Sequence, residues 1–126
     1  MGQLDSPLLR CVNLSKAFLT RHGAQHVLRD LCFGMDRGEV VAIVGRSGSG
    51  KTTLLKIIAG LERPDRGTVE LNGRPVAGPA RDRVLLFQEE SLLPWKSVID
   101  NVALDFTDAP RPRAQARAAA NRLLQD

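Results

Sequence analysis

Val40-Val41-Ala42-Ile43-Val44 runs straight into Gly45-Arg46-Ser47-Gly48-Ser49-Gly50-Lys51-Thr52, and Leu54, Leu55, Ile57, Ile58 and Leu61 follow at helical spacing. Five apolar residues in a row, mostly β-branched, predict a strand covered on both faces, as in a parallel sheet. The octet fits G-x-x-x-x-G-K-[S/T], the phosphate-binding loop that joins a strand to a helix. Each residue type has a physical reason. Glycines 45, 48 and 50 let the backbone of residues 45–52 bend until successive N–H groups point inward as a concave anion site. Lys51 adds a point charge for β- and γ-phosphates, and the Thr52 hydroxyl is placed to ligate Mg²⁺. Thr53 offers a second hydroxyl toward the α-phosphate. The helix that follows turns its positive N-terminal end to the anion.

Working outward, Leu8–Leu14 and Val27–Met35 read as strands, the second alternating apolar with polar, and Thr20–Gln25 reads as the polar connection between them. Arg37-Gly38 turns the chain into the apolar run, and Gly60 with Pro64 stops the helix on the far side of the loop. Thr68–Asn72 reads as a strand ending in an Asn72-Gly73 turn, and Arg83–Phe87 as a further apolar strand feeding a loop from Gln88 to Trp95. Ser97 with Asp100 marks a helix start, with Ile99, Val102, Ala103 and Phe106 on one face. Thr107–Pro112 is a Pro-interrupted linker, and Ala116, Ala119, Ala120, Leu123 and Leu124 form an apolar stripe on a last helix. The expected class is α/β, built around a P-loop.

Composition narrows the function. The chain has 126 residues, one domain's worth, with 43% hydrophobic and 25% charged residues, an ordinary globular balance. No stretch reaches the roughly 18 apolar residues of a membrane span, and residues 1–7 lack the layout of a secretory signal, so a cytoplasmic protein is the expectation. The net charge is +4, but the basic residues form no run, and four Phe and one Trp offer little for base stacking. No nucleic-acid partner is expected. Cys11 and Cys32 are too few for a disulfide framework and are expected as buried reduced thiols.

A P-loop holds nucleotide without cleaving it. Cleavage usually needs a metal-shell Asp after a second apolar strand and a group that activates water. The residue following Val84-Leu85-Leu86-Phe87 is Gln88, where a carboxylate would stand, and Glu89 and Glu90 read as a solvated acidic loop. His22 and His26 both precede the P-loop and read as ordinary loop histidines.

Phe18, GRSGSGKTT at 45–53, Gln88 and LLPWKSVIDNVAL at 92–104 together resemble the ATP-binding subunit of ABC transporters. Residues 92–102 are most similar to importers of aliphatic sulfonates, with taurine and nitrate importers next. The resemblance covers nearly the whole chain, but only the first half of the family's domain, ending before an LSGGQ-like signature, an apolar strand closing in Asp-Glu, and a switch His. It implies an incomplete P-loop NTPase fold of the ABC ATPase type, with ATP and Mg²⁺ as cofactors. By the same resemblance Phe18 stacks on adenine, residues 45–53 hold the phosphates, and Gln88 touches Mg²⁺ or the attacking water. The Gln88–Trp95 loop meets a transmembrane permease, and a second ATP-binding subunit completes a dimer on the cytoplasmic face of the cell membrane. ATP hydrolysis by this chain alone is not expected, and the isolated chain is expected to fold marginally. Two other readings stay open: an inactive fragment, and a small P-loop kinase, which would need the arginine-bearing lid that Arg111–Arg117 does not supply.

Overall fold

The computed structural model describes residues 7–88, 92–104 and 112–125. The chain divides into two compact units, Met1–Leu86 and Phe87–Asp126.

In the first unit, β1 (Leu9–Thr20) and β2 (Gly23–Met35) form an antiparallel hairpin from Thr20↔Gly23 to Leu9↔Met35. The strands run further than the sequence predicts, and the connection shrinks to Arg21-His22. The added stretch is the exposed end of a two-stranded ribbon, with Leu19 at 91% exposure, so no buried face gives it the apolar pattern by which strands are read. The register slips between Cys11 and Ala17, with Asn13 and Asp30 at φ 50° and 44°. There the Ser15 hydroxyl accepts from the Asp30 amide at 3.0 Å and donates to its carboxylate at 3.1 Å, replacing ladder bonds lost at the bulge.

The other edge of β1 pairs antiparallel with β3 (Arg66–Leu71), and β3 turns through Asn72-Gly73 into the short β4 (Arg74–Pro75). Positive φ at both turn residues, 51° and 71°, gives the twist a two-residue hairpin needs. The sheet order is β2-β1-β3-β4. Helix α1 (Lys51–Ala59) lays Leu54 and Ile57 into a cluster with Leu9, Cys11, Leu14, Leu28 and Val69. Leu14 and Ile57 are wholly enclosed, each worth about 1.5–3 kcal/mol of burial. Gly60 ends the helix as expected, its amide donating to the Ile57 carbonyl at 3.0 Å.

Three expectations need correction. Residues 40–44 form no ladder among the described residues, and Val40 and Val44 are 95% and 91% exposed. Residues 83–87 likewise form no strand, with Val84 and Leu86 exposed. Apolar strands of this kind need a paired neighbour on each edge and a layer on each face, and the antiparallel sheet pairs with neither. Cys11 is buried as expected, but Cys32 is exposed, because successive strand residues point to opposite faces and Cys32 falls between inward Leu31 and Phe33.

In the second unit, α2 (Val98–Ala103) starts at Ser97, whose hydroxyl accepts the Asp100 amide. It packs on α3 (Arg113–Leu123) through Ala103, Ala116 and Ala120, with Ile99 and Val102 alongside. Leu123 and Leu124 of the expected stripe remain largely exposed. A six-residue helix is about 9 Å long and cannot cover an eleven-residue one of about 16 Å. Glu89, Glu90, Phe106 and most of the 107–112 linker lie outside the described residues.

Candidate functional site

The loop after residue 44 alternates in hand. Gly48 and Gly50 take φ of 77° and 92°, while Ser47 before them and Ser49 between them keep the ordinary negative sign. Such alternation turns successive amides toward one concavity. The Ser49 amide closes the turn on the Arg46 carbonyl at 3.2 Å. A methyl placed on Gly48 would meet nothing within 4 Å, whereas one on Gly50 would stand 2.7 Å from Val27 Cγ1 and 2.8 Å from the Val27 carbonyl. One side of the loop therefore opens outward and the other presses on β2.

The start of α1 is left without a counter-charge. Its N-cap is Gly50, which offers no side-chain acceptor, and its first turn carries no acidic residue. The first amides of a helix have no intrahelical partner. Here those donors and the positive end of the helix dipole are directed at the open side of the loop. The Lys51 ammonium donates to the carbonyls of Gly45 and Arg46, each at 2.8 Å, and reaches Ser49 Oγ at 3.4 Å. Gly45 and Arg46 thus anchor the lysine through their carbonyls.

A cavity of about 240 Å³ is lined by Phe18, Gln25, Val27 and residues 48–53. Phe18 reaches it because β1 and β2 pair Phe18 with Gln25, two residues from the Val27 on which Gly50 rests. The structure brings Phe18 together with Gly48, Ser49, Gly50, Lys51, Thr52 and Thr53; Gly45, Arg46 and Ser47 stand outside the lining. Gln25 and Val27 were missed by sequence reasoning, and only the hairpin register identifies them.

Among the described residues no three His, Cys, Asp or Glu side chains gather to hold a metal ion. The Thr52 hydroxyl in the cavity lining is a hard oxygen donor of the kind Mg²⁺ takes alongside phosphate oxygens and water. The uncompensated amides and the open face at Gly48 fit the polyphosphate.

Gln88 is the second residue of the second unit and is exposed. In that unit Leu92 and Trp95 are 63% and 76% exposed. The loop bearing them is held by Asn101. Its amide group donates to the carbonyls of Leu93, Lys96 and Ser97 at 3.0–3.3 Å, and its oxygen accepts the Leu93 amide at 2.8 Å. Nothing in the sequence marks Asn101 for this, since its partners are main-chain groups. Among the described residues no helix is long and apolar enough to cross a membrane.

Comparison with known proteins agrees with this geometry. The chain is 40% identical over 112 residues to the taurine import ATP-binding protein TauB of Pseudomonas aeruginosa, a match covering 89% of this chain and 43% of that protein. It is 47% identical over 102 residues to the aliphatic sulfonates import ATP-binding protein SsuB 3 of Pseudomonas syringae pv. tomato, covering 81% and 36%. The chain thus spans about two-fifths of the length of these curated relatives. Among solved structures, a dimeric bacterial ABC transporter cassette matches with a TM-score of 0.79 at 26% identity, covering 93% of this chain and 56% of that one. A dimeric post-hydrolysis cassette bound to ADP and Pi shares the fold with a TM-score of 0.77 at 24% identity, over the same shares. The fold is therefore a partial P-loop NTPase fold of the ABC ATPase type. The sequence profile described as "ABC transporter" matches residues 28–126, and on that evidence the chain belongs to the ABC transporter family.

Proposed function

We propose that this chain binds ATP with Mg²⁺ at residues 45–53, as part of the ATP-binding component of an importer for taurine, aliphatic sulfonates or related anions. The observation that carries the nucleotide site is the alternating-hand loop at the uncompensated start of α1, facing a cavity that also holds Phe18. The solute class rests on the relatives, which are named for taurine and aliphatic sulfonate import.

In this proposal the base lies on Phe18 and the phosphates lie along the inward amides of the loop. Lys51 keeps its two carbonyl anchors and turns its third donor, spent on a long contact to Ser49, to a phosphate oxygen. Thr52 takes one position on Mg²⁺, which when bound neutralises phosphate charge, and Gln88 approaches the ion or the attacking water. Binding is the step these residues carry. The Gln88–Trp95 loop, with Leu92 and Trp95 exposed, is the surface offered to a membrane permease. A second ATP-binding subunit faces the loop, as the dimeric cassettes among the structural matches suggest. The working position is the cytoplasmic face of the cell membrane. Residues 1–126 then form the N-terminal part of one ATP-binding domain, in keeping with the share of the relatives they span.

Titration of a fluorescent ATP analogue into the wild type and Lys51→Ala, with Mg²⁺ and with EDTA, tests this. Saturable, Mg²⁺-assisted binding is expected, weakened at least about tenfold by the substitution, the equivalent of 1.4 kcal/mol. Absence of binding by the wild type overturns the site, and equal binding by both removes the role given to Lys51.

A further inference from the structure

A charged cluster beside Phe18 is unused by the site described so far. Lys16 Nζ lies 2.6 Å from Glu62 Oε1 and 3.4 Å from Asp65 Oδ1, and donates to the Arg63 carbonyl at 2.8 Å. These three acceptors match the three donors of an ammonium, on a side chain only 11% exposed. The same ammonium stands 5.2 Å from the centroid of the Phe18 ring, within cation–π range of about 6 Å. Asp65 accepts the Ala17 amide at 2.7 Å, and its own amide donates to the Ser15 carbonyl at 2.9 Å. The backbone on both sides of Lys16 is thereby tied to the connection between α1 and β3. Phe18 itself has no polar edge to orient it, and at 39% exposure it is not locked by packing.

We propose that Lys16 is a positioning residue for the nucleotide base: it clamps the end of β1 to residues 62–65 and occupies one face of Phe18, so that the ring offers its other face to the base. This inference rests on the nucleotide reading above and deepens it. The helix that begins at the phosphate loop is then linked at its far end, through residues 62–65 and Lys16, to the aromatic that receives the base. Phosphate and base subsites are thereby coupled through the contacts of Lys16 with residues 62–65.

The test compares ATP with tripolyphosphate, which has the phosphates and no base. Lys16→Met keeps the aliphatic stem and removes the charge. ATP affinity is expected to fall about three- to tenfold while tripolyphosphate affinity stays at the wild-type value, and Lys16→Arg should recover most of the loss. In a Phe18→Leu background, Lys16→Met should cause no further loss, because its effect passes through the ring. Glu62→Gln, a milder change to the same clamp, should show a smaller loss with the same selectivity. It serves as the test if Lys16→Met does not fold by circular dichroism. Unchanged ATP affinity, an equal loss for both ligands, or an additive loss in the Phe18→Leu background overturns the proposal. A wild type that binds neither ligand defeats the nucleotide reading. A wild type that binds both, with Lys16→Met indistinguishable from it, defeats the positioning role alone.

Discussion

Gly50 shows how narrowly the loop is specified at the residue scale. Its φ of 92° lies where side chains are strained, and an added methyl would collide with both the side chain and the carbonyl of Val27. Gly50→Ala is expected to destabilise the first unit by about 1–3 kcal/mol, read as a lower denaturant midpoint, and to abolish binding of the ATP analogue. The two cysteines make a second contrast. Burial, and then the neighbouring Cys32, push the Cys11 thiol up to about 11, while Cys32 stands exposed on the opposite side of its strand. At pH 8, iodoacetamide should therefore label Cys32 in the folded chain and reach Cys11 only after denaturation, with mass spectrometry locating the adduct. Labelling of Cys11 at the same rate would show that the core around it is open. The loop glycines, Lys51 and Thr52 were legible in the sequence because their chemistry is local and each works through its own backbone or tip. Gln25, Val27, Lys16 and Asn101 were not, because each acquires its role from a partner brought near by pairing or by a turn.

Among the elements, the β1 end and the 92–97 loop each depend on a few polar contacts. Asp65 is held below the usual carboxylate range, first by the Ala17 amide and then by Lys16, and Lys16 is held above the ordinary lysine range by Glu62 and Asp65. A depressed carboxyl contributes above its unfolded pKa and ceases as pH falls through its folded one. A raised ammonium contributes below its unfolded pKa and ceases as pH rises through its folded one. The thermal midpoint should thus be flat near neutrality and fall below about pH 4; on the alkaline side it falls from about pH 9, where Cys11 ionises in the unfolded chain but not in the fold, and further above about pH 10.4 as Lys16 loses its proton. Asp65→Asn should lower the neutral plateau and shrink the acid limb; an acid limb of the same size in that variant would remove the clamp from the account. In the second unit, Asn101→Ala strips four hydrogen bonds from the loop carrying Trp95, the chain's sole tryptophan. A loss of about 1–3 kcal/mol is expected from the unpaired main-chain groups. Trp95 fluorescence anisotropy should drop with it, and unchanged anisotropy would show that the loop holds its shape unaided.

For the whole molecule, the balance of apolar surface is the notable feature. Among the described residues, the first unit encloses seven buried core residues, and the second rests on three alanines with Ile99 and Val102. Outside these cores, Val40 and Val44 with Val84 and Leu86 are exposed, without a ladder among the described residues. Unpaired β-branched segments free of charge and proline are templates for pairing with other chains. Sedimentation velocity should show association that grows with concentration, and the double substitution Val40→Lys, Leu86→Lys should reduce it. A monomer at all concentrations would mean these segments find cover elsewhere. The loop, the helix caps and the Asn72-Gly73 turn were determined by the sequence itself, since each follows from backbone rules acting over a few neighbours. The length of the β1–β2 ribbon, the outward turn of Cys32, the unpaired state of residues 40–44 and the placing of Gln25 and Val27 against the phosphate loop were decided by tertiary structure alone. Strand pairing joins residues far apart in the chain, and an apolar segment becomes a buried strand only when another strand lies beside it.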